Sequence, residues 1–288
     1  MKSYFSLVKF SHTIFAMPFA LTGFFVASFE QGADALNWRL LLLVVLCMVF
    51  ARSAAMGFNR WLDRDIDAVN PRTQMREIPA GTISARSALV FVLVNCALFI
   101  ATTFFINTLC FFLAPVALAV VLGYSYTKRF TWLCHFVLGL GLALAPVGAY
   151  LAVTGHFAWL PVLLGLTVLF WTAGFDIIYA LQDEEFDKSQ QLYSVPAWLG
   201  KSRALRLSEM LHLVSALLLL TAGWLLHGAL AEAGWLAWAG TGIFLGLLLY
   251  QHLIVKPNDL RRVNLAFFTT NGIASLIFGV LTILDLFV

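Results

Sequence analysis

Read as apolar and polar positions, the chain alternates long charge-free stretches with short polar clusters. Phe10–Phe29 carries no charge, and Leu40–Asn59 carries only Arg52. Ser87–Thr127 and Phe130–Phe175 run uncharged for 41 and 46 residues. Met210–Ala231, Ala233–Val255 and Val263–Leu284 complete the series. A membrane helix needs about 20 apolar residues to cross a hydrocarbon core about 30 Å thick. The two longest stretches are each too long for one span. The first folds back at Asn107-Thr108, and the second turns at Thr154-Gly155-His156. The pattern predicts an all-α bundle of nine transmembrane helices in one domain, residues 1–288, with no flexible linker. A signal peptide is the competing reading for residues 1–35, but the apolar run there exceeds an ordinary signal core.

Composition narrows the class. The chain is 61% hydrophobic and 11% charged, against about 25% charged in soluble domains. Too few charges remain to cover a water-facing exterior. A net charge of +3 suggests no nucleic acid or other polyanion as a partner. The partner the composition does demand is the lipid bilayer. Four cysteines lie in apolar runs without metal-ligand spacing and read as small core residues.

The distribution of charge sets the expected topology. Of the 18 Lys and Arg residues, all but Arg39 and Arg52 fall at one end of the predicted bundle. Basic loops stay cytoplasmic. The expectation is therefore a bacterial-type inner (plasma) membrane protein with a cytoplasmic N-terminus. Two long connections, one after the second span and one after the sixth, form a cytoplasmic cap. Long loops on a rigid scaffold tend to carry function.

Those two connections open on related patterns. One reads Asn59-Arg-Trp-Leu-Asp63-Arg-Asp-Ile-Asp67, the other Tyr179-Ala-Leu-Gln-Asp183-Glu-Glu-Phe-Asp187. Corresponding positions are 120 residues apart, which suggests an internal repeat. Residues i and i+4 share a helix face, so each Asp pair points into one space. A lone pair of this kind is usually a solvated helix end. Two copies at one membrane face instead suggest hard-oxygen ligands for Mg²⁺, a cation often held by one or two carboxylates together with substrate phosphates. Asn59 would add a neutral oxygen.

Other residues complete a candidate site. Asp176 lies seven positions before Asp183 in an apolar setting, where an unpaired carboxylate is costly. It is a candidate metal, substrate or proton-accepting group, and structural pairing is the alternative. Tyr179 would hydrogen-bond a phosphate or a neighbouring Asp. Arg72 and Arg76 follow the first Asp pair in a Pro- and Gly-rich loop. Tyr124, Lys128 and Arg129 close the fourth span, although the last two also fit simple positive-inside anchoring. Arg52 lies inside the second span and faces the protein interior. It would bind a carboxylate or phosphate, or else pair with a helix carbonyl or Asp176. The histidines show no ligand spacing and read as packed or interfacial residues, with His12 near the cytoplasmic mouth.

Together these segments resemble the UbiA superfamily of intramembrane aromatic prenyltransferases. The matching residues are Asn59-Arg60-x-x-Asp63-x-x-x-Asp67, Arg72-Thr73-x-x-Arg76, Tyr124-x-x-x-Lys128-Arg129 and Asp176-x-x-Tyr179-x-x-x-Asp183-x-x-x-Asp187. The segment from Asp176 to Pro196 looks like the 4-hydroxybenzoate polyprenyltransferase-like branch. Met75-Arg76-Glu77-Ile78-Pro79 departs from the Arg-Pro-Leu-Pro common in the family. The resemblance implies Mg²⁺-dependent transfer of a polyprenyl group from polyprenyl diphosphate to an aromatic acid acceptor in quinone biosynthesis. The acceptor would be 4-hydroxybenzoate or 1,4-dihydroxy-6-naphthoate. It implies that Asn59, Asp63, Asp67, Asp183 and Asp187 bind diphosphate with Mg²⁺, and that Arg72, Lys128 and Tyr124 contact the diphosphate. The alternatives are a relative acting on heme or a lipid, and a secondary transporter. A transporter would place its ionisable residues near mid-membrane, where this chain has almost none.

Overall fold

The computed structural model describes residues 7, 15–32, 36–230 and 234–288. His12 and the start of the first predicted span lie outside the described residues. The helices are α1 (Met17–Glu30), α2 (Trp38–Leu62), α3 (Arg64–Val69), α4 (Ala85–Phe104), α5 (Thr108–Thr127), α6 (Cys134–Thr154) and α7 (Trp159–Ala180). There follow a 3₁₀ turn (Leu181–Asp183), α8 (Glu184–Ser189), α9 (Val195–Leu199), α10 (Lys201–Ala229), α11 (Trp235–Ile254), a π-helical turn (Leu265–Thr270) and α12 (Asn271–Asp285). No strand forms among the described residues beyond an isolated bridge between Lys256 and Asp259. Among the described residues, eight helical segments are long and apolar enough to cross a membrane, and α1 is a shorter apolar helix.

Local chemistry ends the helices where the polar positions fall. The side chain of Asn37 accepts from the Leu40 amide to start α2, and Asn107 accepts from Cys110 to start α5. Such caps satisfy amides that the first helical turn leaves free. Gly155 stops α6 at φ 70°, a left-handed conformation open to glycine. Both predicted fold-backs therefore occur as expected. Asp285 receives the amides of Gly234, Leu236 and Ala237 and so tethers the end of α12 to the start of α11. The long polar connections are partly helical: they carry α3, α8, α9 and the first turns of α10, which extends further than its apolar stretch, while residues 70–84 form consecutive turns.

Small residues let the central helices approach closely, as is common where lipid supplies no hydrophobic drive between helices. A methyl group at Gly139 would overlap the Leu169 carbonyl, joining α6 to α7. Gly23 of α1 faces the Pro146 carbonyl of α6 in the same way, and Gly279 of α12 faces Pro18. Around these contacts sits an aromatic core of Phe15, Phe19, Trp171, Phe175, Phe244, Phe267 and Phe278. The π turn has a local cause. The Asn271 side-chain amide donates to the carbonyls of Ala266 and Phe267, and its oxygen accepts from Trp171 Nε1.

Candidate active site

The C-terminal ends of α2, α5 and α7 and the N-terminal end of α6 meet beneath the cap. Every sequence-predicted site residue except Arg129 lines one polar cleft there, of about 280 Å³. Arg129 lies behind it and supports Asp63.

The first acidic pair straddles a helix break. Asp63 ends α2, yet the Asp67 amide still donates to the Asp63 carbonyl at 2.7 Å, so the two carboxylates stay one turn apart. Asp63 is 1% exposed. Its carboxylate accepts from Lys128 Nζ at 2.7 Å, Arg129 Nη2 at 2.8 Å and Asn59 Nδ2 at 3.1 Å. Both oxygens of Asp67 accept from Arg76 Nη1, at 2.7 and 2.8 Å.

The second pair follows the 3₁₀ turn that closes α7. Asp183 is held by two nitrogens of Arg72, with Nε to Oδ1 at 2.8 Å. A third nitrogen of Arg72 donates to the Tyr179 hydroxyl at 2.8 Å, and the guanidinium lies 5.1 Å from that ring. Burial alone would lower the Arg72 pKa, but its bonds to Asp183 outweigh this and raise it. Tyr179 stacks on Phe267 with centroids 4.1 Å apart. Asp187 accepts from the Ser194 hydroxyl.

Arg72, Arg76, Lys128 and Arg129 are each ion-paired with one of the acids expected to hold the metal. Tertiary pairs such as Arg72 with Asp183, 111 residues apart, leave no periodic trace in a sequence. Glu184 and Asp65 have partners of their own. Glu184 pairs with Lys188 and Lys201, and Asp65 with Arg64.

Arg52 and Tyr124 stand where the polar cleft meets a second cavity. That cavity, of about 350 Å³, is lined almost wholly by apolar side chains and runs past Phe99 and Cys110 to Phe157. Among the described residues, Arg52 Nε is buried without a hydrogen-bond partner, and Arg52 pairs neither with a helix carbonyl nor with Asp176. Asp176 pairs instead with His135, whose Nδ1 lies 2.7 Å from Oδ2.

Three features escaped the sequence reading. Arg60, next to Asn59 in the motif, is 3% exposed and lines the cleft. Its Nε and Nη1 have no hydrogen-bond partner among the described residues. A charge in the last turn of a membrane helix was the available signal. His135 and the His212–His252 pair (2.7 Å) were read as unpaired, because their partners lie 40 or 41 residues away.

Comparison with known proteins identifies the family. The model of the UbiA prenyltransferase family matches residues 16–273. A 4-hydroxybenzoate octaprenyltransferase of Aliivibrio fischeri (strain MJ11) is 32% identical over 253 residues, covering 86% of this chain and 84% of the relative. The corresponding protein of Idiomarina loihiensis is 31% identical over 228 residues, covering 79% and 78%. Among solved structures, an apo UbiA homolog from Aeropyrum pernix K1 superposes with a TM-score of 0.84 at 29% identity, covering 95% of this chain and 98% of that one. A UbiA homolog from Archaeoglobus fulgidus bound to GPP and Mg²⁺ shares the fold, with a TM-score of 0.73 at 21% identity and coverage of 99% and 100%. The chain belongs to the UbiA prenyltransferase family.

Proposed function

We propose that this protein transfers a polyprenyl group from polyprenyl diphosphate to a carboxylated hydroxy-aromatic acceptor, with Mg²⁺ as the metal. The observation that carries the reading is the junction at Arg52 and Tyr124. There an acid- and base-lined cleft and an apolar cavity share their walls. An amphiphile with an anionic head and a hydrocarbon tail matches that junction. The names of the relatives favour 4-hydroxybenzoate and an octaprenyl chain. The notion that 1,4-dihydroxy-6-naphthoate is accepted rests on its shared carboxylate and activated ring.

The donor set fits Mg²⁺ on one condition. Among the described residues, no three carboxylate or imidazole groups converge on one point. A protein-only cage is therefore absent there. Asp63 and Asp67 on one side and Asp183 and Asp187 on the other, with Asn59, suit cations completed by substrate phosphate oxygens. Bound in this way, Mg²⁺ supplies positive charge that stabilises the leaving diphosphate.

The remaining work falls to the chain's own groups. Arg72 and Lys128 exchange part of their contact with Asp183 and Asp63 for diphosphate oxygens. Arg76 and Arg129 keep the first acids oriented. Arg60, with two free nitrogens, adds a donor to the anion. Arg52 takes the acceptor carboxylate, and Tyr179 orients Arg72. As the allylic C–O bond breaks, the ring carbon beside the acceptor hydroxyl forms the new C–C bond. Asp176 takes the ring proton. The apolar walls exclude water from the cationic carbon.

The chain is further taken to act as a single domain across the membrane, with the cleft on the cytoplasmic side. The test uses membranes given labelled octaprenyl diphosphate, Mg²⁺ and a panel of aromatic acids. Wild type labels a carboxylated phenol. Asp63→Ala gives no product while keeping its thermal transition, because Lys128 and Arg129 are both partly solvated and relax into water. Near-normal transfer by that variant in Mg²⁺ buffer overturns the metal assignment. Label on no aromatic acceptor overturns the reaction.

A further inference from the structure

We propose that His135 is a positioning residue that holds Asp176 in its working orientation and locks it to the cap. This rests on the reading of Asp176 as the proton acceptor. His135 stands in the first turn of α6, is 3% exposed and bridges two elements. Its Nε2 lies 3.2 Å from the backbone nitrogen of Val195, the first residue of α9. A backbone N–H only donates, so Nε2 must accept and carry no proton. The ring proton then sits on Nδ1 and points at Asp176 Oδ2, 2.7 Å away. The tautomer follows from the two contacts together. A neutral imidazole passes orientation from the peptide plane of α9 to a carboxylate in the cleft.

The arrangement leaves Asp176 with one oxygen engaged and one available. Oδ2 is held by His135, and no bond to Oδ1 forms among the described residues. The side chain is 23% exposed and lines the cleft. An acceptor of protons needs this pairing of a fixed carboxylate and a free lone pair. Among the described residues His135 hydrogen-bonds Asp176 and the Val195 amide and neither acidic pair, so Asp176 is its direct link to the reaction.

The α9 end of the bridge is itself tied to the site. The Tyr193 amide donates to the Lys128 carbonyl at 2.7 Å, and Trp198 stacks on Trp132 at 4.4 Å. Ser194 reaches Asp187. The segment from Tyr193 to Trp198 is therefore anchored to the connection that carries Lys128. His135 is the innermost of these anchors and the one that continues to Asp176.

The experiment compares wild type with His135→Leu, His135→Gln, Asp176→Asn and the Leu/Asn double variant, each in lipid nanodiscs. Loss of a positioned group costs roughly 10- to 100-fold. We expect a kcat loss of that size in His135→Leu, with KM for the prenyl diphosphate within about twofold, since a remote orienting group leaves substrate affinity alone. Gln, whose amide both donates and accepts, recovers a substantial part. Replacing His135 in the Asp176→Asn background causes no further loss. Equal losses in both backgrounds, or a Gln variant no better than Leu at matched thermal stability, overturn the proposal.

A second readout is independent of turnover. Amide exchange at Val195 should accelerate in His135→Leu and, more weakly, in Asp176→Asn. Unchanged exchange in both overturns the bridge. Accelerated exchange in a protein that prenylates no aromatic acid retains the bridge and sinks only the assigned reaction.

Discussion

Arg52 illustrates what one residue does in this setting. A guanidinium inside a membrane helix is costly unless it faces a partner or a wet cavity. Its Nε is buried without a bond, and it lies at the boundary between polar and apolar space. The four other basic residues expected to bind substrate hold carboxylates, so we propose that Arg52 receives the anion that enters with the acceptor. A hydrogen bond to a charged group is worth about 1.5–3 kcal/mol. Arg52→Leu should therefore raise KM for 4-hydroxybenzoate about 10- to 100-fold. The same change should leave transfer to a phenol lacking the carboxylate nearly unaltered. Steady-state kinetics with the two acceptors checks this, and an equal effect on both removes Arg52 from carboxylate recognition. The charged positions of this site were readable in the sequence because charge inside an apolar chain is rare. Their pairing was not, because Lys128 and Asp63, or His135 and Asp176, meet only once the helices pack.

At the scale of elements, α6 and α7 place the chemistry. His135 begins one and Asp176 lies near the end of the other, so their separation depends on how closely the two helices approach. Gly139, one turn beyond His135, sets that approach through the Leu169 carbonyl, and Gly165 meets Ala143 further along. Gly139→Val forces the backbones apart. Overpacking of this kind costs about 1–3 kcal/mol. The variant should melt earlier in detergent and lose kcat, whereas Gly148→Ala in the same helix, with open space at its Cβ, should do neither. Similar melting of the two variants removes the close contact as the cause. The apolar stretches and their caps announced the membrane helices in sequence. The π turn at Leu265–Thr270 had no such signal, since it arises from Asn271 bonding to two carbonyls and to Trp171. The short helices of the cap were likewise hidden, because polar runs of about six residues carry too little periodicity to mark them.

At the scale of the whole molecule, two acidic connections 120 residues apart converge because four intervening spans return the chain to the same end. Arg72 fastens the halves together by reaching from the first connection to Asp183 and Tyr179 of the second. That shared end also carries nearly all the Lys and Arg, whereas the opposite end offers Arg39 among short turns. On the rule that basic loops stay in the cytoplasm, we propose that cap and cleft face the inside of the cell, where a diphosphate made in aqueous solution would meet them. The two ends supply exposed positions for a direct test, Ser189 at the cap and His156 at the opposite turn. With the four native cysteines replaced, Ser189→Cys should react with a membrane-impermeant maleimide in inverted vesicles and stay unlabelled in intact spheroplasts. His156→Cys should show the reverse. Labelling of Ser189→Cys from the outside would invert the bundle. The basic cap would then face away from the cytoplasm, and the proposed route of the diphosphate into the cleft would fail even with every side-chain contact intact.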